Sequence, residues 1–116
     1  MHELSIALSI MDIATEESKQ RDDAHIEAIH LKIGPLAGIV NEALTSAFQL
    51  AAEGTIFADC RLVIEEIPVV AFCPACNAEC AVSSLQWFHC SECGAPVSEI
   101  LHGKELLVSA MELSQW

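Results

Sequence analysis

The chain is short and strongly acidic: it has 116 residues, five Lys and Arg against seventeen Asp and Glu, and a formal net charge of −12. This length suits one compact domain, or a small domain that carries a metal-stabilised insertion. Its acidity argues against nucleic acid as a partner, because the phosphates would be repelled. The negative charge is compatible with binding to metal ions or to basic protein surfaces, or it serves only to keep the protein soluble. No apolar run reaches the roughly eighteen residues of a membrane span and no signal peptide is recognisable, so we expect a cytoplasmic protein that does not enter a membrane.

The first half of the chain predicts a helix followed by a strand. Polar residues recur at helical spacing from Leu4 to about Lys19, which predicts an amphipathic helix. Its predicted buried face consists of Leu4, Leu8, Ile10, Met11 and Ile13. The segment 24–33 alternates apolar and polar residues at its end, which is typical of a half-buried strand, and Gly34-Pro35 ends it.

A second helix and two further strands follow. Asn41 is predicted to cap the helix and Gly54 to stop it. The expected apolar stripe of this helix is Leu44, Ala47, Phe48 and Ala51. Segment 61–67 reads as a strand, and segment 105–113 as a last strand that returns to the first core. We therefore predict an α+β fold, in which residues 1–69 and 101–116 form one domain with two helices on a small sheet, interrupted by a zinc ribbon at residues 70–100.

Two Cys-x-x-Cys segments, set thirteen residues apart, are the most informative feature of the sequence. We call them the first hook and the second hook, and their four hook cysteines are Cys73, Cys76, Cys90 and Cys93. Two thiolates from each hook can converge on one tetrahedral Zn²⁺. Asn77 and Gly94 supply the permissive backbone that a zinc knuckle needs after its second cysteine. The spacing predicts a structural zinc site, because four thiolates leave no open position for catalysis.

Redox chemistry is the alternative interpretation of the same cysteines. A thioredoxin-like site uses one Cys-x-x-Cys at a strand-to-helix junction, whereas these hooks lie amid short polar turns, so zinc is favoured. Disulfides are not expected in a cytoplasmic protein. Cys60 and Cys80 lie outside the hooks and are predicted to be small buried thiols. His89 is a substitute ligand by position, but four thiols already complete a tetrahedron.

The chain opens with Met1-His2-Glu3, which brings an α-amine, an imidazole and a carboxylate together. Ni²⁺ and Cu²⁺ favour a square of nitrogens, and this segment offers the amine, the imidazole and backbone amides. A histidine at position 2 is also an ordinary solvated residue, so the residues alone leave both interpretations open.

No catalytic constellation can be assembled from residue types and spacing. The chain has no phosphate-binding glycine loop, no H-E-x-x-H motif and no recognisable Ser/His/Asp set. His25, His30 and His102 show no pair spacing and are expected on the surface or on strand faces. We therefore expect a protein that is not an enzyme.

Segments spread over the whole chain together resemble one family. They are Met1–Ser5, Ile33–Ile39, Glu42–Phe48, the two hooks and Gly103–Leu106. In this order and at this spacing they are similar to the HypA/HybF family of hydrogenase nickel-incorporation proteins. The resemblance implies a nickel site at His2 with the backbone around Met1 and Glu3, and zinc on the four hook cysteines. The chain departs from the common pattern at Asn77, where a glycine often follows the first hook, and at Val40, where some members place an acidic residue near the nickel.

The resemblance also implies function and partners. Members deliver Ni²⁺ to the large subunit of nickel–iron hydrogenase, work with the GTPase HypB, and in some cases serve urease. We therefore expect a nickel metallochaperone, a monomer or weak homodimer, with Ni²⁺ as cargo and Zn²⁺ as a structural ion. The rival interpretations are a zinc-ribbon module for protein–protein interaction, with an inert terminus, and a redox protein.

Overall fold

The computed structural model describes residues 3–116, with Ser83 described by its backbone alone. Two helices are present, α1 (Glu3–Gln20) and α2 (Asn41–Ala52), together with a 3-10 turn at Pro35–Ala37. The strands are β1 (His25–Ile33), β2 (Arg61–Glu66), β3 (Val70–Cys73), β4 (Ala78–Ser84), β5 (Trp87–Cys90), β6 (Glu99–His102) and β7 (Leu106–Ser114). The strands form a three-stranded sheet in the order β2-β1-β7 and a four-stranded sheet in the order β5-β4-β3-β6. The α+β prediction is confirmed.

The chain divides into two compact units. The helical unit comprises the residues up to Lys32, Gly38–Glu65 and Leu107–Trp116, and the cysteine unit comprises Ile33–Ala37 and Glu66–Leu106. The last residue of β1 and the turn that follows it thus group with the cysteines rather than with the helices. The independent folding of residues 70–100 as a domain stays a prediction.

The core of the helical unit forms where α1 and α2 pack together and where β1 contributes its apolar side chains. Its buried members include Ala7, Ile10, Met11, Ala14, Leu44, Phe48, Ile29 and Leu31. Among the described residues, neither helix is long and apolar enough to cross a membrane.

The buried face of α1 differs in part from the prediction, since Ile10 and Met11 are buried as expected but the other three predicted residues are not. Ala7 and Ala14 lie at its centre with no exposed area, whereas Leu4, Leu8 and Ile13 are each roughly half exposed. Alanine has no side chain beyond Cβ, so a helix that buries alanines approaches its neighbours closely. The larger apolar side chains then lie along the edges of the buried face.

The start of α2 also corrects a prediction. Asn41 is its first helical residue and not its cap, since the N-cap is Val40, which makes no side-chain hydrogen bond to the helix. The end of the helix follows the prediction: Gly54 takes a positive φ of 73° directly after the C-cap Glu53. A glycine carries no Cβ penalty in that conformation, so the helix stops there.

In the cysteine unit, the four-stranded sheet is built from antiparallel pairs. Cys73 in β3 lies opposite Ala78 in β4, and Cys80 lies opposite Ala71. Cys90 at the end of β5 lies opposite Val82. Because side chains alternate between the two faces of a strand, this register brings the sulfur-bearing residues to one face of the sheet.

Candidate metal centre

Each hook leaves the end of a strand and turns tightly. The first hook begins at the last residue of β3 and ends one residue before Asn77, which has a positive φ of 53°. The second hook begins at the last residue of β5, and Gly94 follows it with a φ of 76°. The two turns therefore use the left-handed residues that the sequence predicted.

Backbone N–H groups of both turns point at sulfur. The Cys76 N–H donates to Cys73 Sγ at 3.4 Å, and the Glu92 N–H donates to Cys90 Sγ at 3.4 Å. The second turn is closed by the Gly94 N–H, which donates to the Cys90 carbonyl oxygen at 2.9 Å. Such N–H donors stabilise a thiolate more than a thiol, so the turns prepare the sulfurs for metal binding.

The four hook cysteines converge on one point. Their Sγ atoms all lie within 4.8 Å of one another, and Cys73 and Cys93 are 3.6 Å apart. Zinc–sulfur bonds of about 2.3 Å place the sulfurs of a tetrahedral site about 3.8 Å apart. Cys73 and Cys90 are buried, whereas Cys76 and Cys93 are exposed, so the cluster lies at the edge of the unit. The number of donor atoms, their identity as sulfur and the distances between them all fit Zn²⁺.

The electrostatics of the cluster favour a divalent cation. The backbone N–H groups of Cys93 and Glu92 lower the pKa of the Cys90 thiol to about 6. Contacts with the sulfurs of Cys93 and Cys73 raise the pKa of Cys76 to about 12. Adjacent thiolates repel one another, so full deprotonation of the cluster requires a positive charge among them. A bound metal ion would displace the remaining protons.

Sequence reasoning missed the position of Cys80. It is buried in the same small cluster as Cys73 and Cys90, against which Ala95 and Val97 also pack. Burial, followed by the contact with Cys90, raises the pKa of Cys80 to about 11. Cys80 lies on β4, two residues after Ala78, which pairs with Cys73. Its position beside the hook cysteines can be predicted only when the register between β3 and β4 is known.

His89 does not join the four hook cysteines in the described part of the chain. Its ring stacks on Trp87 instead, with centroids 4.2 Å apart and planes 10° apart. Its Nδ1 is buried and has no hydrogen-bond partner within residues 3–116. The expectation that four thiols leave no place for His89 agrees with this geometry.

The predicted nickel ligands fall at the edge of the described chain. Met1 and His2 lie outside the described residues, and Glu3 is the first residue of α1. Val40, the position where some members of the family carry an acidic residue, is the exposed N-cap of α2. The nickel site therefore stays a prediction.

The other singled-out residues have identifiable partners or surroundings. In the helical unit, His30 Nε2 lies 2.7 Å from Glu112 Oε2, and burial raises the pKa of Cys60 to about 11. In the cysteine unit, His102 Nδ1 lies 3.0 Å from Glu105 Oε2. The histidines are exposed or half-buried on strands, as predicted, and both Cys60 and Cys80 are buried.

Comparison with known proteins places this geometry in one family. A family model described as hydrogenase/urease nickel incorporation, metallochaperone, HypA matches residues 1–113. The hydrogenase maturation factor HypA of Chloroflexus aurantiacus is 48% identical over 112 residues, which cover 97% of this chain and 98% of that protein.

Solved structures agree with the sequence match. The solution structure of the Ni metallochaperone HypA from Helicobacter pylori is 26% identical, with a TM-score of 0.65 and full coverage of both chains. A second solution structure of a HypA protein gives a TM-score of 0.70 at 26% identity, over 98% of this chain and 97% of that one. The chain belongs to the HypA family of hydrogenase/urease nickel-incorporation metallochaperones.

Proposed function

We propose that this protein binds Ni²⁺ at its N-terminus and delivers it for the maturation of nickel–iron hydrogenase. The observation that carries the proposal is the end-to-end match to the HypA family, over residues 1–113. The proposed partners are the GTPase HypB, the hydrogenase large subunit and, by the wording of the family description, proteins that mature urease. The proposed place of action is the cytoplasm.

The proposed nickel ligands are the His2 imidazole and backbone nitrogens of Met1 and Glu3. Nitrogen donors in a square suit Ni²⁺. A site made of few, terminal donors is open to attack by the ligands of a partner, so nickel can leave it by ligand exchange. Both the α-amine and the imidazole must lose protons to bind, with ordinary pKa values of about 7.7 to 8.0 and about 6.5. Affinity for nickel should therefore fall as the pH drops from about 8 to about 6.

The proposed role of the four hook cysteines is to hold a structural Zn²⁺ that stays in place during nickel transfer. The convergence of the four Sγ atoms within 4.8 Å supports this role. A closed set of four thiolates offers no open position to water or substrate, so the zinc would fold the cysteine unit and perform no hydrolysis. The protein would thus separate an exchangeable metal from a permanent one, without catalytic turnover.

Equilibrium dialysis of untagged, zinc-loaded protein against Ni²⁺ tests the proposal. We expect the original sequence to bind nickel and the His2→Ala variant to lose the site or to change its absorption spectrum. Extra residues placed before Met1 should have a similar effect, because they convert the α-amine into an amide. Zinc content and fold should be the same in all three proteins, since none of these changes touches a hook cysteine.

A control variant and two possible results separate this function from its rival, an interaction module with an inert terminus. His25→Ala changes a histidine of the helical unit and should leave nickel binding intact. Unchanged nickel affinity and spectrum in His2→Ala would falsify the proposed site. Zinc-free protein with four titratable hook thiols would contradict the proposed structural ion.

A further inference from the structure

A fifth sulfur lies beside the candidate metal centre. Cys80 is 7% exposed and packs in one buried cluster with Cys73 and Cys90, two of the hook cysteines. It is outside the set of four Sγ atoms that lie within 4.8 Å of one another, so it packs against the coordination set without being part of it. Cys80 is thus a thiol donor that is shielded from solvent and lies next to the candidate zinc site.

Strand pairing fixes the face of the sheet on which the Cys80 side chain lies. Cys80 comes two residues after Ala78, which pairs with Cys73 in β3. Val82, two residues further along β4, pairs with Cys90 in β5. Residues two apart on a strand share a face of the sheet, and so do residues directly opposite each other on paired strands. The Cys80 side chain therefore lies on the same face as those of Cys73 and Cys90.

Cys80 lies on the inner side of the four-cysteine cluster. Among the hook cysteines, Cys76 and Cys93 are exposed and the other two are buried. Cys80 packs with the buried two, on the side away from solvent. Cys93 is an outer ligand, in the turn that follows β5. If its sulfur leaves the metal, the remaining three sulfurs lie between the opened outer position on one side and Cys80 on the other.

Small movements would bring the Cys80 sulfur to the ion. A tetrahedral ion with zinc–sulfur bonds of about 2.3 Å lies about 0.8 Å from the plane of any three of its ligands, so it reaches the opposite side of that plane by moving about 1.5 Å. A change of the Cys80 χ1 rotamer moves Sγ by up to about 3 Å. Atoms in packing contact are about 4.0 to 4.5 Å apart, which exceeds a zinc–sulfur bond by about 2 Å. The two movements together therefore cover this difference.

We propose that Cys80 is a reserve zinc ligand, which completes the four-sulfur site when the Cys93 sulfur leaves the metal. The site then consists of Cys73, Cys76, Cys80 and Cys90. Zinc deprotonates a thiol that binds it, so Cys80 supplies the same thiolate donor as the residue that it replaces. The reserve role rests on the proposed structural zinc. It explains how an ion at the edge of the unit is retained when an exposed ligand is lost.

Cysteine variants of the full chain test the reserve role. Cys93→Ala removes the outer ligand and leaves the backbone of its turn intact, because the turn is closed by the Gly94 N–H, which donates to the Cys90 carbonyl oxygen at 2.9 Å. Cys80→Ala is then added to the Cys93→Ala protein. Cys60→Ala in the same background is the matched control, since Cys60 is also a buried thiol outside the hooks but belongs to the helical unit.

We expect Cys93→Ala to retain one Zn²⁺ per chain, with four sulfur neighbours at about 2.3 Å in zinc X-ray absorption. Adding Cys80→Ala should leave three sulfurs and one oxygen from water. It should also lower zinc affinity about a hundredfold, which is roughly the share of one ligand in the binding free energy of a typical four-ligand site. Competition with a chromophoric chelator measures the affinity. Adding Cys60→Ala instead should change neither the ligands nor the affinity.

Cys80→Ala in the original sequence separates ligation from packing. All four hook sulfurs are present in this variant, so it should bind zinc as tightly as the original sequence does. A purely structural contribution of Cys80 would instead lower the affinity whether or not Cys93 is present.

Three results would overturn the reserve role and leave the structural ion standing. The first is zinc bound by three sulfurs and an oxygen in Cys93→Ala, or no zinc in that variant. The second is equal zinc affinity in Cys93→Ala with and without Cys80. The third is the same loss of affinity from Cys80→Ala in the original sequence, which would indicate packing. An original sequence that binds no zinc would overturn the proposed structural ion and the reserve role together.

Discussion

Gly34 is the position where a single methyl group should test the cysteine unit most severely. A Cβ atom built on Gly34 would lie 2.1 Å from both the carbonyl carbon and the carbonyl oxygen of Gly103, and 2.7 Å from its Cα. These are backbone atoms that cannot rotate away. Relief therefore requires the two segments to separate by about 1 Å, since a Cβ essentially never comes closer than 3.0 Å to another heavy atom.

Separation of the two segments would break specific hydrogen bonds. The Gly34 N–H donates to the Glu105 carbonyl oxygen at 2.8 Å, and the Leu36 N–H donates to the Gly103 carbonyl oxygen at 2.8 Å. Each bond contributes about 1 kcal/mol, and forcing a methyl group into packed surroundings costs about 1 to 3 kcal/mol. Gly34→Ala should therefore lower the free energy of unfolding of this unit by about 3 to 5 kcal/mol.

Gly94→Ala is the matched control, because it lies in the same unit and is a substitution of the same size. Its Cβ would meet no atom within 4 Å, and only the positive φ of 76° opposes it. That conformation costs an L-residue about 1 to 2 kcal/mol. Urea unfolding at fixed free zinc, followed by Trp87 fluorescence in the Trp116→Phe background, measures both variants. The reasoning is refuted if Gly34→Ala costs no more than Gly94→Ala.

Two further predictions concern the helical unit. The hydrogen bond from His30, with Arg61 nearby, holds the pKa of Glu112 below the ordinary 4.5. An NMR titration should therefore place the titration midpoint of Glu112 below 4.5, and His30→Ala should move that midpoint upward. The contribution of the ionised Glu112 to stability should be complete above pH 4.5 and be lost as the pH falls through the midpoint. A midpoint that does not move in His30→Ala would contradict the assignment. Burial raises the pKa of Cys60 to about 11, so alkylation at neutral pH, followed by mass spectrometry, should leave Cys60 unmodified after chelation of zinc, while the hook cysteines react. Rapid modification of Cys60 under these conditions would show that the helical unit does not stay folded without the metal.

The features that the sequence predicted well are those set by short-range geometry. The hooks fix pairs of cysteines within one turn each, and the positive φ values of Asn77 and Gly94 follow from the same local requirement. The bounds of α1, β1, α2, β2 and β7 agree with the expectations to within one or two residues, and Gly54 and Pro68 follow the ends of α2 and β2 as expected. No bounds were predicted for the four strands of the cysteine unit.

The features that the sequence did not predict depend on contacts between different segments of the chain. The buried face of α1 centres on Ala7 and Ala14, because small side chains allow close packing. The prediction had instead chosen the large apolar residues of the helix. The position of Cys80 beside the hook cysteines follows from the register of β3 with β4. The grouping of residues 33–37 with the cysteine unit depends on the contact between Gly34 and Gly103, which lie far apart in sequence.

Complementation in cells tests the nickel proposal most directly. The gene is deleted in an organism that makes nickel–iron hydrogenase, and hydrogenase activity is measured at low and at high nickel supply. We predict that deletion lowers activity at low nickel, that excess nickel restores much of it, and that the original sequence restores it at low nickel whereas an equally abundant His2→Ala protein does not. Normal activity in the deletion strain at low nickel, or full restoration by His2→Ala, would contradict the account.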